Sequence, residues 1–367
     1  MIKVALIKAE DYSESKKCVE RLIKLLDFKT PGKKILLKPN MLDPYGPEKA
    51  VTTHPEIVKA VANYFSKKGV KIYVGDGSGG KTPEKTLTTF EKTGIKDAVK
   101  GLAEFTNFDE DYERVGLDNK DIKKILIGKK ISEADLVINL CKLKTHVLTI
   151  MTGAVKNTFG CLYGSQKKMA HIRYGYAKSP KKNVDGFSEF LVDLHSKINP
   201  QLNIMDGILA MEGNGPSAGE VIKANVMLAS TNAFALDYVA AKIMGFDPMK
   251  IPTIRISIEK GKFIPADIEV VGGSIEDLKM SFKKPITYSQ NEGIIKKIFN
   301  AIFSSYVDVD KSSCIKCGKC AIQCPAEAIT MNEYPNFDYK KCILCYCCHE
   351  MCPKKAIVIK KKLKFKK

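Results

Sequence analysis

The sequence has no tryptophan, very little arginine and no basic stripe interleaved with aromatic side chains. Only four of its 60 basic residues are arginine, the side chain that specific base recognition and bidentate phosphate binding favour. The formal net charge is nevertheless +19, which makes an acidic partner a natural candidate. Because lysine is spread evenly along the chain, it is typical of a solvated surface. We therefore expect no specific nucleic-acid binding.

We also expect no membrane or export signal. No run of about 18 apolar residues occurs, so we expect no membrane span. The apolar run in the N-terminal MIKVALIKAE is too short for a signal peptide. In a chain without an export signal, twelve cysteines favour metal binding over a disulfide scaffold. We expect a cytoplasmic protein with a metal module between Cys314 and Cys352, where nine of the cysteines lie.

Two cysteine runs have the spacing of iron–sulfur ligands. Residues 314–325 read CIKCGKCAIQCP and residues 342–353 read CILCYCCHEMCP. Both fit C-x-x-C-x-x-C-x-x-x-C-P, the run of bacterial two-[4Fe–4S] ferredoxins, in which the fourth cysteine ligates the other cluster. The alternative, a zinc ribbon, needs only four thiolates. The predicted ligand sets are Cys314, Cys317, Cys320 and Cys352 for the first cluster, and Cys342, Cys345, Cys348 and Cys324 for the second.

The cysteine module also contains an internal repeat. AIQCPAEAI is repeated as HEMCPKKAI, in keeping with the pseudo-symmetry of a two-cluster ferredoxin. Cys347 is left over from both ligand sets, as a packed thiol or a substitute for a neighbouring ligand. The module predicts two [4Fe–4S] clusters, electron transfer and a redox partner protein.

The longer N-terminal part alternates strands with helices. Apolar runs such as IKVALIK, KKILLK, VKIYVGD, DLVINL and LNIMDGI are separated by helical stretches such as ESKKCVERLIKLL. This alternation predicts an α/β fold, a mainly parallel sheet with helices on both faces, plus a small C-terminal two-cluster ferredoxin-type domain. The expected boundaries are 1–275 for the α/β domain, 276–307 for a linker with an amphipathic helix, 308–360 for the ferredoxin domain and 361–367 for a basic tail.

In such a sheet, ligands bind beyond the carboxyl ends of the strands. The segments that we place in loops there contain lysine, histidine and glycine, which suit an anionic small molecule such as a carboxylate or phosphate. The alternative is that these lysines are ordinary surface residues of a lysine-rich chain. The candidate catalytic residues are Lys156 and His146. The candidate ligand-binding residues are Lys38, Asn40, Asp76, Gly77, Lys142, Lys144, Asn157 and His171.

Residues 75–82, GDGSGGKT, match the phosphate-loop pattern G-x-x-x-x-G-K-T. However, Pro83 predicts that the following helix begins only after the Lys-Thr pair, which a working phosphate loop places inside the helix. The acidic residue that would hold magnesium has one fair candidate, Asp206. Nucleotide binding is therefore the weaker hypothesis. We expect backbone N–H groups of this loop to approach the same anionic ligand.

Several of these motifs together resemble a known family. ILLKPN, TTHPE, VGDGSGG, ADLVINLCKLKTH, MTGAVKNTFG and TNAFALDYVAAKIMG are similar to domain-of-unknown-function family 362, whose members are often fused to ferredoxin modules. The order of DLVIN, a histidine and a Gly-x-x-Lys turn also resembles the nickel-pincer lactate racemase group. That resemblance implies cofactor or substrate contacts for His146 and Lys156, with His171 a weaker match. Asp76 and Gly77 depart from it, since that group has a histidine there.

Three hypotheses for function follow. The leading one is an iron–sulfur oxidoreductase component that passes electrons through two clusters to a substrate, cofactor or partner at the α/β cleft. The second is a non-catalytic ferredoxin-like carrier whose α/β domain serves for docking. The third is a nucleotide-dependent factor for cluster assembly or electron transfer. An amphipathic helix in the linker, with Ile294, Ile295, Ile298, Phe299, Ile302 and Phe303 on one face, predicts that the two domains are docked.

Overall fold

The computed structural model of the chain describes residues 1–30, 32–66, 69–79, 82–175, 180–288 and 303–363. The strands are β1 (Ile2–Lys8), β2 (Lys34–Pro39), β3 (Lys71–Asp76), β4 (Glu104–Asn107), β5 (Tyr112–Gly116), β6 (Lys124–Gly128), β7 (Leu136–His146), β8 (Ile150–Met151), β9 (Leu202–Glu212), β10 (Glu220–Ser230), β11 (Ile268–Val271), β12 (Phe303–Val309), β13 (Ile329–Met331), β14 (Pro335–Phe337) and β15 (Ile357–Leu363).

The helices alternate with these strands. They are α1 (Ser15–Leu25), α2 (Pro55–Ser66), α3 (Pro83–Lys92), α4 (Ile95–Ala98), α5 (Lys130–Glu133), α6 (Gly153–Asn157), α7 (Ser165–Gly175), α8 (Pro180–Ile198), α9 (Ala233–Ile243), α10 (Pro252–Glu259), α11 (Ile275–Leu278), α12 (Lys319–Ile322) and α13 (Cys347–Glu350). Short 3-10 turns lie at Tyr12–Glu14, Pro47–Lys49, Thr158–Cys161, Pro248–Lys250 and Pro265–Asp267. No helix in the described ranges combines the length and apolarity needed to cross a membrane.

The central sheet has nine strands in the order β11-β1-β10-β9-β7-β2-β3-β4, with β8 paired to the end of β7. Strands β4, β3, β2, β7 and β9 run parallel to one another, and β1 is parallel to β11. Strand β10 is antiparallel to both β9 and β1. The sheet is therefore mainly parallel, as the sequence predicts.

Successive residues of a central strand face opposite core layers, because side chains alternate across a sheet. Ile35 and Leu37 of β2 pack in the layer that holds α1 and α2. Leu36 belongs to the other layer, which contains side chains of α8 and α9. All three side chains are fully buried. Helices on both faces explain why these strands read as continuous apolar runs, and the predicted α/β class is confirmed.

The C-terminal part is small and separate from the main sheet. Strands β12 and β15 form one antiparallel pair, and β13 and β14 form another. The short helices α12 and α13 each lie within one of the two cysteine runs. This arrangement, together with the cysteines, confirms the predicted ferredoxin-type domain, whereas the predicted domain boundaries stay predictions.

Two segments that the sequence places in loops are regular structure. Strand β7 does not end at Leu140 but continues through Lys142 and Lys144 to His146, and all of its residues are buried. The sequence places these charged residues in a ligand-binding loop after the strand, whereas here they lie within the strand and are enclosed by neighbouring elements. Likewise, residues 153–157 form helix α6.

Direct contacts join the ferredoxin-type part to the α/β part. Lys355 Nζ donates to the carbonyl oxygen of Gly219 at 2.9 Å, and Ser217 Oγ donates to the carbonyl oxygen of Glu350. A ring nitrogen of His349 lies 3.3 Å from the carbonyl oxygen of Asn214. The β9–β10 connection therefore carries the docked module. The predicted linker helix spans residues 291–307, of which residues 291–302 lie outside the described residues. Its last five residues belong to strand β12, so the helix prediction is wrong there.

A buried ion pair ties β7 to β9. Lys142 Nζ lies 2.7 Å from Asp206 Oδ2, and both side chains are fully buried. The hydroxyl of Tyr12 donates to Asp206 Oδ1 at 3.0 Å, and the backbone N–H of His54 donates to Oδ2 at 3.0 Å. Because these partners occupy the carboxylate, Asp206 does not take the magnesium-holding place that the phosphate-loop hypothesis required.

Asp206→Ala should lower the free energy of unfolding by about 3–5 kcal/mol, because it leaves the buried Lys142 ammonium unpaired. Urea unfolding of the holoprotein, followed by circular dichroism, measures the change. The matched control is Glu104→Ala, which removes the partner of Lys71 from a pair with side chains 52% and 62% exposed. That control should cost less than about 1 kcal/mol. Equal losses in both variants would contradict the role of the buried pair.

Asp237 of α9 caps helix α6. Its carboxylate oxygens accept hydrogen bonds from the N–H groups of Ala154 at 2.6 Å and Val155 at 3.0 Å. Gly153 has a positive φ of 58°, and a Cβ there would lie 2.4 Å from Asp237 Oδ1. Burial raises the pKa of Asp237 to about 7, although the two N–H groups oppose the shift. Asp237 therefore fixes the short helix that carries Lys156.

The pKa of Asp237 predicts a pH-dependent stability. Since it is raised above the 3.8 of a free carboxyl, the native state retains the proton longer than the unfolded state. Relative to Asp237→Asn, the free energy of unfolding of the wild type should therefore fall by about 1.4 kcal/mol per pH unit from about pH 5 to 7, and level off above. The comparison with Asp237→Asn removes the contributions of other buried groups, such as His171 and Glu350, which are the same in both proteins. Urea unfolding of both proteins across that range measures it, and parallel curves would show that the carboxyl does not titrate there.

Candidate functional site

A cavity of about 130 Å³ lies between the carboxyl ends of β2 and β3, helices α6 and α7, and the ferredoxin-type part. This edge of a parallel sheet is where α/β proteins bind ligands. The predicted residues that line it are Lys38, Asn40, Asp76, Gly77, Lys144, Lys156, Asn157 and His171. The structure thus brings together most of the residues selected from the sequence.

Lys38 and Asp76 form the floor of the cavity. Lys38 Nζ lies 2.9 Å from Asp76 Oδ1, and these residues are 1% and 2% exposed. The other oxygen, Oδ2, accepts the N–H of Met41 at 2.8 Å. Burial raises the pKa of Asp76, while the Lys38 charge opposes the shift. A Cβ at Gly160 would lie 2.2 Å from Asp76 Oδ1 and 2.7 Å from Lys38 Nζ, so this pair requires glycine beside it.

A chain of amides holds the lysine side chains in place. Asn157 Oδ1 accepts hydrogen bonds from Asn40 Nδ2 at 2.9 Å and Lys38 Nζ at 3.3 Å. Asn157 Nδ2 donates to Asn139 Oδ1 at 2.7 Å. Asn40 Oδ1 in turn accepts from Lys144 Nζ at 3.2 Å. These groups are buried, so each hydrogen bond avoids the free-energy cost of a buried polar atom without a partner. The network also fixes the direction in which the ammonium groups point.

Lys144 and Lys156 bring charge that no carboxylate neutralises within ion-pair distance in the described part of the chain. Lys144 Nζ donates to the carbonyl oxygen of Val51 at 2.5 Å in addition to Asn40. Burial lowers the pKa of Lys144 well below its usual value, and the Lys156 charge adds to the effect. Lys156 Nζ lies 5.3 Å from the centre of the Phe159 ring. Burial lowers the pKa of Lys156 as well, opposed by Glu350.

His146 lies one layer behind the cavity. Its Nδ1 accepts the N–H groups of Leu148 at 3.0 Å and Thr149 at 3.4 Å, which assigns the ring proton to Nε2. Nε2 is 3.4 Å from Glu350 Oε1, and both atoms are buried without a well-formed hydrogen bond among the described residues. Burial lowers the pKa of His146 far below its usual value and raises that of Glu350 to about 7.

His171 joins an aromatic wall. Its ring stacks on Phe187 with centroids 4.7 Å apart and meets Phe159 edge-on at 5.6 Å. Burial lowers the pKa of His171 to about 3, so the ring is neutral at physiological pH. This side of the cavity is therefore apolar and uncharged.

The backbone N–H groups of the glycine loop after β3, residues 77–79, donate hydrogen bonds to other groups of the protein. The Gly77 N–H donates to Asp76 Oδ1 at 2.9 Å and to the carbonyl oxygen of Gly160 at 3.0 Å. Those of Ser78 and Gly79 donate to Thr86 Oγ1 at 2.9 Å and to the Leu42 carbonyl oxygen at 2.7 Å. The expectation that these groups approach an anionic ligand is therefore wrong for residues 77–79. Helix α3 begins at Pro83, as predicted, while residues 80–81 lie outside the described ranges.

The cysteines of the ferredoxin-type part surround two smaller cavities. One is lined by Cys314, Cys317, Cys320 and Cys352, and the other by Cys324, Cys342, Cys345 and Cys348. Ala328 N–H donates to Cys324 Sγ at 3.2 Å, and Ala356 N–H donates to Cys352 Sγ at the same distance. These two groups of four thiols fit a pair of [4Fe–4S] clusters, with one cysteine of each set coming from the other run.

The cavity at the sheet edge adjoins the second of these cysteine cavities. Pro325 lines both. Cys347 and Glu350 also line the sheet-edge cavity, and helix α13, which carries them, begins two residues after Cys345. By contrast, Cys317 of the first set is exposed. One cluster position is therefore close to solvent, and the other is close to the cavity.

Sequence reasoning missed part of the lining and misplaced two residues. Lys142 does not line the cavity, because its ammonium is held by Asp206 in the sheet, and His146 does not line it, because its ring lies behind Glu350. The lining residues that were not selected include Phe159, Lys167, Lys168, Cys347, Glu350 and Met351. Cys347 stood out only as the cysteine without a cluster, and Glu350 gave no signal, since its role depends on how the two parts dock.

Comparison with known proteins agrees with both parts. Residues 35–242 match the model of the domain of unknown function DUF362, and residues 313–362 match that of the 4Fe-4S dicluster domain. The thylakoid-associated protein sll1697 of Synechocystis sp. is 34% identical over 261 residues, which cover 68% of this chain and 77% of that protein.

Among solved structures, the lactate racemase apoprotein of Thermoanaerobacterium thermosaccharolyticum aligns with a TM-score of 0.42 and 15% identity. The alignment covers 64% of this chain and 56% of that chain, little more than half of its length. The DUF362 match alone spans more than half of the present chain. The chain belongs to the DUF362 family, and its 4Fe–4S dicluster domain holds two [4Fe–4S] clusters for electron transfer.

Proposed function

We propose that the protein is an oxidoreductase component that delivers electrons to a ligand bound in the cavity at the sheet edge. The observation that carries this proposal is the shared wall. Pro325 lines both the cavity and the cysteine cavity of Cys324, Cys342, Cys345 and Cys348. Electron transfer weakens steeply with distance, so a site one residue away from a cluster position is well placed to receive electrons.

The cysteines would hold the clusters as the sequence predicts, the first by Cys314, Cys317, Cys320 and Cys352, the second by Cys342, Cys345, Cys348 and Cys324. When bound, the clusters supply one-electron transfer. The exposed Cys317 marks the side that a donor reaches. It is flanked by Ile315 and Ile322, which are 56% and 64% exposed, and by exposed Lys316 and Lys319. A protein donor with an acidic surface suits this face.

The predicted catalytic residues take different roles in this proposal. Lys156 faces the cavity and contacts the ligand directly. His146 does not reach the cavity but faces Glu350 Oε1 from behind at 3.4 Å, so we assign it as a positioning residue. Lys38 and Asn157 orient the remaining polar groups through the amide chain. The cytoplasmic location and a redox partner protein, both expected from the sequence, are part of the same proposal.

The test is the fate of electrons in the reduced protein. Anaerobic holoprotein is reduced, freed of reductant and mixed with a panel of small anionic oxidants, such as 2-oxo acids and 2-enoates. The visible absorbance of the iron–sulfur centres reports their reoxidation. At least one compound should reoxidise the wild-type protein about tenfold faster than Lys156→Met, because the variant loses a cation inside a desolvated site.

Flavodoxin, an acidic protein acceptor too large for the cavity, serves as the control. It should reoxidise both proteins at the same rate, since it collects electrons at the exposed face. If each oxidant of the panel reoxidised wild type and variant equally, electrons would not leave through the cavity. The protein would then be a ferredoxin-like carrier with a docking domain.

A further inference from the structure

Most lysines of the cavity wall already have a carboxylate partner. Lys38 pairs with Asp76 at 2.9 Å, Lys167 with Asp109 at 3.6 Å and Lys168 with Glu327 at 3.2 Å. These contacts leave two ammonium groups to account for, those of Lys144 and Lys156.

Lys144 and Lys156 share one nearby carboxylate. Glu350 lines the same cavity as both lysines. No ion pair joins it to either of them within the described ranges. Lys144 is fully buried and Lys156 is partly buried, and an uncompensated cation in such a place is costly unless an anion accompanies it. Two ammonium groups and one carboxylate on the same wall therefore favour an anionic ligand.

The chemistry of the wall favours a carboxylate over a phosphate. None of the four arginines is among the lining residues, although arginine is the side chain best matched to phosphate. Phosphate sites also rely on free backbone N–H groups at glycine loops or helix N-termini. Those of Gly77, Ser78 and Gly79 are already bonded to protein acceptors.

The volume limits the ligand to a small molecule. About 130 Å³ is close to the roughly 150 Å³ of a cavity that holds benzene. It is well below the roughly 300–1,000 Å³ of sites for drug-sized molecules. Part of the wall is apolar, from Met41, Leu42, Phe159, Pro216 and Met351. A nucleotide is larger than this space, whereas a short carbon chain with one charged end matches its volume and its mixed wall.

We infer that the cavity binds a small organic monocarboxylate of about six non-hydrogen atoms, with its carboxylate on Lys144 and Lys156 and its carbon chain against Phe159 and Met351. This inference names the substrate class of the proposed function. It rests on that function only in treating the bound carboxylate as a substrate. The binding itself requires no electron transfer and can be measured separately.

The experiment is isothermal titration of the oxidised holoprotein with three probes. Butyrate carries the charge and the chain, butyramide has the same shape without the charge, and inorganic phosphate has charge without a chain. Butyrate should bind at least about tenfold more tightly than either of the others. Equal binding of butyrate and butyramide would overturn the charge assignment, and tighter binding of phosphate would overturn the carboxylate assignment. Absence of butyrate binding would overturn the whole inference.

Variants localise the site. Lys156→Met should weaken butyrate binding about tenfold or more, and Lys144→Met should do the same. Lys156 is the primary test, because its ammonium makes no hydrogen bond to the described residues, whereas Lys144 also supports Val51 and Asn40. The control is Lys71→Met, at the opposite end of β3, which should bind butyrate like the wild type. Unchanged binding in Lys156→Met would place butyrate elsewhere.

The outcomes also separate this inference from the proposed function. If butyrate binds as expected but no oxidant of the panel is reduced through the cavity, the carboxylate site stands and the oxidoreductase role fails. If an oxidant is reduced in a Lys156-dependent way but butyrate does not bind, the oxidoreductase role stands and the substrate class is wrong.

Discussion

The buried ion pair between Lys38 and Asp76 is the interaction on which the cavity depends. A lysine and an aspartate, each almost fully buried, can coexist there only because they neutralise each other and fill their remaining hydrogen bonds. Asp76 receives the Met41 N–H, and Gly160 leaves the space that both side chains need. The pair joins the ends of two neighbouring parallel strands. It therefore also forms the floor of the cavity and fixes the position of the groups around it.

The ferredoxin-type part forms the remaining wall of the cavity at the sheet edge. Its helix α13 brings Glu350 and Cys347 into the cavity wall, and Lys355 and Ser217 hold it against the β9–β10 connection. Docking therefore does two things at once. It adds a protein wall beside the lysines, which shields them from solvent and strengthens their attraction for an anion. It also places the cavity beside one group of four cysteines while the other group stays near solvent.

The sequence predicted most strongly where chemistry requires a fixed spacing. Two C-x-x-C-x-x-C-x-x-x-C-P runs defined the iron–sulfur module, and alternating strands and helices defined the α/β class. The prediction was wrong where burial reversed the usual meaning of charge, as at Lys142, which is enclosed in a strand and not part of a ligand loop. The expectation for GDGSGGKT was wrong in a similar way. Its N–H groups at residues 77–79 donate hydrogen bonds to the protein and not to a ligand. Glu350 was missed because no local pattern encodes the contact between two domains.

The central claim is that a ligand in the cavity lies beside an iron–sulfur cluster. Electron–nuclear double resonance of the reduced holoprotein with butyrate labelled with carbon-13 at the carboxylate tests it most directly. We expect a resolved carbon-13 coupling to the reduced cluster held by Cys342, Cys345, Cys348 and Cys324, and its loss in Lys156→Met. A wild-type protein without any carbon-13 coupling, or a coupling that persists unchanged in Lys156→Met, would contradict the proposed path of electrons into the cavity.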